Sequence, residues 1–266
     1  MRQGGPARRE QNYANYKLEA YADAHLTPKG WAQSLALRDH IRTTGSIPDA
    51  VVVSPLTRTL ETAAGAFGGP ALGDDVSAAV LMRGQSALEG RRSRCPGFVL
   101  APDGPRRFVA QELCREGYGL HPCDRRSPAS EVKRAFPGVA DWMSGSEALP
   151  EEDLLWSAES RESPDSVEDR ARRFLAWLGS VEGSHVAVVS HAEFLGTLCY
   201  VLARHASDAR HVEALTREFR NCEMRRVVVE GLGGGGGEML VRWADAAGRA
   251  AMATPADGRG TRSVHG

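Results

Sequence analysis

Two four-residue runs, Ala50-Val51-Val52-Val53 and Val186-Ala187-Val188-Val189, constrain the fold most tightly. Each is apolar at every position and rich in β-branched residues. A strand with one wet face alternates apolar and polar side chains, whereas an unbroken apolar run suits a strand buried on both faces, as in a parallel sheet. Each run ends on a serine, Ser54 or Ser190, and leads into a helical pattern, Leu56 to Phe67 and Phe194 to Leu202. Val227-Val228-Val229 reads as a third strand of the same kind. Between the strands, Thr27 is the expected N-cap and Pro28 the first position of a helix reaching Arg42, with Trp31, Leu35, Leu37 and Ile41 as its apolar face. Ser163 and Pro164 open a second helix over Asp165 to Leu178 in the same way. Strands alternating with helices predict an α/β fold with a largely parallel sheet.

Composition narrows the function classes. Lys plus Arg is 33 and Asp plus Glu is 34, a net charge of -1, which gives no general electrostatic reason to bind nucleic acid. No apolar run approaches the roughly 18 residues of a membrane span, and the opening MRQGGPARREQNY lacks the apolar core of a secretory signal. Cys95, Cys114, Cys123, Cys199 and Cys222 are odd in number and widely spaced, so no disulfide framework and a reducing, cytoplasmic compartment are expected. Cys114, His121 and Cys123 lie close together but fit no common zinc spacing. Residues 1–12 read as a loose N-terminus and 247–266 as a disordered tail. Asp74 to Pro105 reads as an irregular surface crossing. Gly233 to Gly237 lacks the Lys-Ser/Thr pair of a phosphate-cradling loop, so it reads as a hairpin tip or linker.

The chemistry sits where the two runs end. In parallel sheets ligands bind outside the carboxyl ends of the strands. Arg58, in Ser54-Pro55-Leu56-Thr57-Arg58, and His191, in Ser190-His191, both fall at that edge. Arginine offers a rigid fork of donors matched to phosphate oxygens, and a histidine there can donate to the same group. Taken singly, each is ordinary: an arginine early in a helix is usually a solvated charge, and a histidine after a strand usually a satisfied loop residue. Together they outline an anion pocket built from distant parts of the chain. Arg125 and Arg126 could meet a further anionic group or form a solvated basic loop.

Four pieces in order resemble the histidine phosphatase, or phosphoglycerate-mutase-like, superfamily: Leu26-Thr27-Pro28-Lys29-Gly30, Ser54 to Ala63 (SPLTRTLETA), Glu112-Leu113-Cys114-Arg115-Glu116 with Gly119, and Ser190-His191. Leu113 to Arg126 (LCREGYGLHPCDRR) is similar to a plant and algal subgroup, as is Arg161-Glu162, which we read as packing ahead of the Ser163 cap. The resemblance implies a three-layer αβα sandwich with a mainly parallel central sheet, spanning residues 13–246 as one domain. It implies phosphomonoester hydrolysis, or phosphoryl transfer within a small phosphorylated metabolite, through a phosphohistidine and without a metal or other cofactor. Carried over, Arg58 clamps the phosphoryl group, His191 is the second histidine, and the general acid is Glu116 or Glu112. Glu116 is favoured, because Cys114-Arg115-Glu116 falls where the family has an apolar residue, any residue and the acid.

One departure matters. The family's nucleophile lies in an Arg-His-Gly or Arg-His-Ala word ending a first strand, ahead of the Leu-Thr piece; this sequence has neither that word nor that strand. His25 falls after the nucleophile's place. Two expectations follow: an enzyme whose nucleophile lies upstream of Met1, or a catalytically inactive binding or regulatory protein that keeps half of a phosphate pocket. Oligomeric state is not legible in the sequence.

Overall fold

The computed structural model describes residues 17–68, 104–105, 107–136, 149–206, 208–232 and 239–243. The expected N-terminal and C-terminal tails, the glycine run, Cys95 and nearly all of 74–105 lie outside the described residues. Helix α1 spans Pro28–Thr43, strand β1 Ala50–Val53, helix α2 Thr57–Phe67 and strand β2 Arg107–Ala110. A short helix α3, Ala129–Ala135, follows. Helix α4 is Pro164–Leu178, strand β3 Val186–Val189, helix α5 Ala192–Ala203, helix α6 Ala209–Thr216, and strands β4 and β5 are Val227–Glu230 and Leu240–Trp243.

The parallel sheet has the order β2-β1-β3 among the described residues, with Val53 in register with Ala110 on one side and Val189 on the other. Strand β1 is therefore central, and all four of its residues are buried. Its apolar side chains alternate between two cores. Val51 and Val53 pack with Trp31, Ile41, Leu60, Phe67 and Phe108, the core under α1, α2 and α3. Val52 packs with Val167, Phe174, Phe194 and Leu198, the core under α4 and α5. Helices thus cover both faces, making the expected three-layer αβα sandwich. Burying each valine contributes about 1.5–3 kcal/mol, so β1 anchors both layers.

The helix signals act as the sequence suggests. Thr27 Oγ1 accepts the Gly30 N–H at 3.2 Å, and Ser163 Oγ accepts the Ser166 N–H at 3.2 Å. Gly65 marks the crossing of α1 and α2: a Cβ there would lie 2.2 Å from Ser34 Oγ. Two elements differ from expectation. Strand β2 carries a weak signal, because only Phe108, Val109 and Ala110 are buried behind an exposed Arg107. The Val227 run forms β4, which pairs antiparallel with β5 outside the parallel sheet. Val227 and Val229 are half-buried while Val228 is exposed, so this apolar run covers one face only.

The three parallel strands point the same way. Their carboxyl ends release Ser54, Gln111 and Ser190 along one edge.

Candidate active site

Arg58 stands in the first turn of α2. The residue ahead of that helix, Leu56, has no capping side chain. The cap comes instead from Asp23, whose backbone takes φ +44°. Its carboxylate accepts the Thr57 N–H and the Thr57 hydroxyl, both at 2.8 Å, and the Ser127 N–H at 3.0 Å. Asp23 thus ties the start of α2 to the loop just beyond Asp124. Across that junction Arg58 donates to the Cys123 carbonyl at 2.6 Å and to Asp124 Oδ1 at 2.8 Å.

His191 precedes the first residue of α5 and is buried. Its Nε2 lies 2.8 Å from Ser54 Oγ. Burial holds its pKa well below the ordinary histidine value, helped by the charges of Arg58, Arg115 and Arg170. The imidazole is therefore neutral at pH 7.

Glu116 lies on the loop after β2. Burial pushes its pKa up to about 7, against the pull of Arg58 and with the push of Asp124 and Glu193; its own contact with the Gly117 N–H opposes the rise. A carboxyl group with this value can hold a proton near neutrality and give it up in a reaction.

Three buried arginines shape the Glu116 loop. Arg115 makes a two-nitrogen contact with Asp153, at 2.8 and 2.6 Å, and also donates to Glu112 at 2.9 Å and to the Asp124 carbonyl at 2.8 Å. Arg126 donates to Glu112 at 2.8 Å and to the carbonyls of Ser127 and Pro150, both at 2.7 Å. Arg170, from α4, donates to the carbonyls of Leu113 and Arg115 at 2.9 and 2.8 Å and pairs with Glu162 at 2.7 Å. The Ser190 hydroxyl donates to the Cys114 carbonyl at 2.6 Å and joins this loop to the end of β3. A loop would leave these carbonyls without partners if it were buried bare; the arginines satisfy them.

The edge therefore gathers Arg58, Glu116 and His191 from three separate parts of the chain. The charge of Arg58 acts on both of the others. Glu112 sits between the guanidinium groups of Arg115 and Arg126. Arg126 is 1% exposed and spent on Glu112 and on carbonyls, so it is neither a solvated charge nor open to an anion. Arg125 bonds to Glu19 and lies 5.0 Å above the Trp156 ring. His25 Nδ1 lies 2.7 Å from buried Glu61, which also accepts the Leu26 N–H at 2.6 Å. Among the described residues no group of three His, Cys, Asp or Glu side chains could hold a metal ion, and no helix is long and apolar enough to cross a membrane.

Residues beyond the sequence reading also belong here. Asp124 takes Arg58 on one oxygen and Arg161 on the other, the latter at 3.0 Å, and Arg161 reaches Glu193 at 2.8 Å. No spacing rule links positions 58, 124, 161 and 193. The one trace was the Arg161-Glu162 pair, whose glutamate does fill the packing role, against Arg170.

A parallel αβα sandwich with an arginine, a carboxyl and a buried histidine at the carboxyl edge of its strands places the chain among the three-layer α/β proteins. Residues 7–72 match the family model "Histidine phosphatase superfamily (branch 1)". The chain is 36% identical over 222 residues to "Phosphoglycerate mutase-like protein" of Arabidopsis thaliana, covering 83% of this chain and 78% of the relative. It is 34% identical over 226 residues to "Phosphoglycerate mutase-like protein 1" of the same plant, covering 83% and 75%. A solved structure titled "Mycobacterial hydrolase 2" is similar with a TM-score of 0.45 at 18% identity, over 87% of this chain and 83% of that one. The chain belongs to the histidine phosphatase superfamily, among its phosphoglycerate mutase-like proteins.

Proposed function

We propose that the protein handles a small phosphorylated metabolite as a phosphomonoester hydrolase or a phosphomutase. The observation that carries this reading is the convergence of Arg58, Glu116 and His191 on one sheet edge. Arg58 supplies fixed positive charge for the phosphoryl oxygens, where transition-state charge is spread. His191 works as a neutral donor. When Ser54 donates its hydroxyl hydrogen to Nε2, the ring proton sits on Nδ1 and is available to a phosphoryl oxygen. Glu116, protonated below about pH 7, gives its proton to the leaving oxygen. Glu112 is the weaker candidate for that role, because its two oxygens are engaged by the guanidinium groups of Arg115 and Arg126. The nucleophile in this reading is a histidine that receives the phosphoryl group.

A specific observation favours a second reading. His25 Nδ1 lies 2.7 Å from the buried carboxylate of Glu61, so this ring is tied to a carboxylate rather than presented to a phosphoryl group. A catalytically inactive protein that binds phosphate esters would keep the same pocket. Hydrolysis of p-nitrophenyl phosphate, run alongside calorimetric titration with inorganic phosphate, separates the two. For an enzyme, Arg58→Ala and His191→Ala each lower kcat/KM by about 100-fold or more. Phosphate binding without turnover supports the binding protein. Turnover that survives both substitutions refutes the assigned site.

A further inference from the structure

We infer that the protein carries a docking surface for a basic, amphipathic segment of a partner protein, built from Leu120, Leu154 and Leu155 around Trp156 and rimmed by carboxylates. The surface does not depend on the phosphate reading. Large apolar side chains gathered in water, rather than scattered singly, mark interaction sites. Among the described residues the exposed ones are Leu18, Leu120, Leu154, Leu155, Tyr200 and Val228. The first four lie on segments that meet at one side chain. Trp156 Nε1 donates to the His121 carbonyl at 3.0 Å, and the Leu120 N–H donates to the Ser157 carbonyl at 2.8 Å. Arg125 lies over the Trp156 ring and bonds to Glu19, the neighbour of Leu18.

The backbone holds these leucines outward. Leu120 takes φ +60°, a left-handed conformation that a bulky side chain rarely adopts. Its bond to Ser157, and the His121 N–H on the Gly119 carbonyl at 2.7 Å, fix the turn. Leu154 is 77% exposed at the tip of a second turn. There Asp153 Oδ1 accepts the N–H groups of Leu155 and Trp156 at 3.1 and 3.3 Å. Asp153 is itself gripped by both terminal nitrogens of buried Arg115. Leucines left in water contribute nothing to folding, whereas covering them stabilises a complex. A surface already fixed in place loses little freedom when it binds.

Charge selects the occupant. From Pro150 to Ser160 the chain carries exposed Glu151, Glu152 and Glu159 and no lysine or arginine. The cations beside this stretch are already engaged, Arg125 by Glu19 and Arg161 by Asp124 and Glu193. A second copy packed about a two-fold axis would set the carboxylates against themselves. An anionic lipid surface would be repelled by them. A segment with apolar side chains on one face and lysine or arginine on the other meets both the leucines and the rim.

Fluorescence anisotropy with the full chain tests this. The probe is a labelled helical peptide with leucines on one face and lysines on the other. One control peptide has glutamates in place of the lysines, and a second has serines in place of the leucines. The wild type is expected to bind the probe, and each control at least about tenfold more weakly. Leu154→Ser and Leu155→Ser are each expected to weaken the probe about tenfold, and Glu152→Lys several-fold. Both leucines are exposed, so these variants keep the fold. Val228→Ser, on β4, is expected to leave binding unchanged. No binding of the probe, equal binding of the serine control, or affinity that survives both leucine substitutions overturns the inference. So does a wild-type dimer in sedimentation that Leu154→Ser dissociates, or binding to phosphatidylserine vesicles that Leu154→Ser abolishes, since either gives the surface to another occupant.

Discussion

Ser54 and His191 are 137 positions apart in sequence, yet the hydroxyl of one lies 2.8 Å from Nε2 of the other, each just beyond the end of a neighbouring strand. Both side chains are buried, so this contact cannot be replaced freely by water. Ser54→Ala removes the partner of a buried ring nitrogen and is expected to cost about 1–3 kcal/mol. Urea unfolding at pH 7.5 measures it. A loss below about 0.5 kcal/mol would show that the contact is not formed in solution.

Glu116 and His191 should tilt the pH dependence of stability in opposite directions. The raised pKa of Glu116 makes its protonated form favourable: that contribution is full below its ordinary value of 4.5 and is lost as pH rises through about 7. The lowered pKa of His191 works the other way: its contribution is full above 6.5 and is lost as pH falls toward the depressed value. Stability curves from pH 4.5 to 8 for Glu116→Gln and His191→Gln should therefore change slope with opposite sign. If both variants keep the wild-type slope, neither group has the environment described.

If the protein turns over phosphate esters, its rate should fall as pH rises through about 7, where Glu116 loses its proton. Glu116→Gln should remove that limb and lower kcat by about 100- to 10,000-fold, most severely for esters with poor leaving groups. Glu112→Gln should leave the limb in place. A limb that moves with Glu112 instead would exchange their roles.

Asp153 faces a guanidinium that is completely buried. Asp153→Asn leaves Arg115 short of a counter-charge and is expected to destabilise the fold by about 3–5 kcal/mol. Glu112→Gln should cost less, since Asp153 still holds Arg115 and backbone carbonyls still hold Arg126. Thermal unfolding of the two variants side by side tests the order; equal losses would contradict it.

Asp23→Ala removes the cap of α2 and the bond to Ser127 together. The expected loss is near the upper end for a helix cap, about 2 kcal/mol. Asp23→Asn keeps an acceptor for the Thr57 N–H and should recover part of it. Denaturant titration of both variants decides, and a negligible loss in Asp23→Ala would mean that another group caps the helix.

The sequence revealed the frame more fully than the site. Ala50–Val53 and Val186–Val189 were legible because burial on both faces leaves no polar position in the strand. Thr27-Pro28 and Ser163-Pro164 were legible because capping is local chemistry. Val227–Val229 misled, since three valines in a row do not say whether a second helix layer covers them. The placing of Arg58 and His191 on one edge was legible because each follows the end of an apolar run that forms a strand of the same parallel sheet. Arg115, Arg126 and Arg170 were hidden, because a buried arginine looks like a surface one until the carbonyls and carboxylates that surround it are in place. The bond from Arg58 to Asp124 was hidden for the same reason.

Those three arginines have a consequence for how the molecule can change. The stretch from Gln111 to Arg126 has almost no regular secondary structure, yet its carbonyls are bolted to guanidinium groups that themselves reach Asp153, Glu112 and Glu162. A substitution beside Glu116 is therefore screened first by whether the protein still folds, and only afterwards by what it does to a ligand. Loops are ordinarily where such proteins can vary cheaply. Here the loop that carries Glu116 is the costly one, and change is cheaper at exposed single side chains such as Glu193.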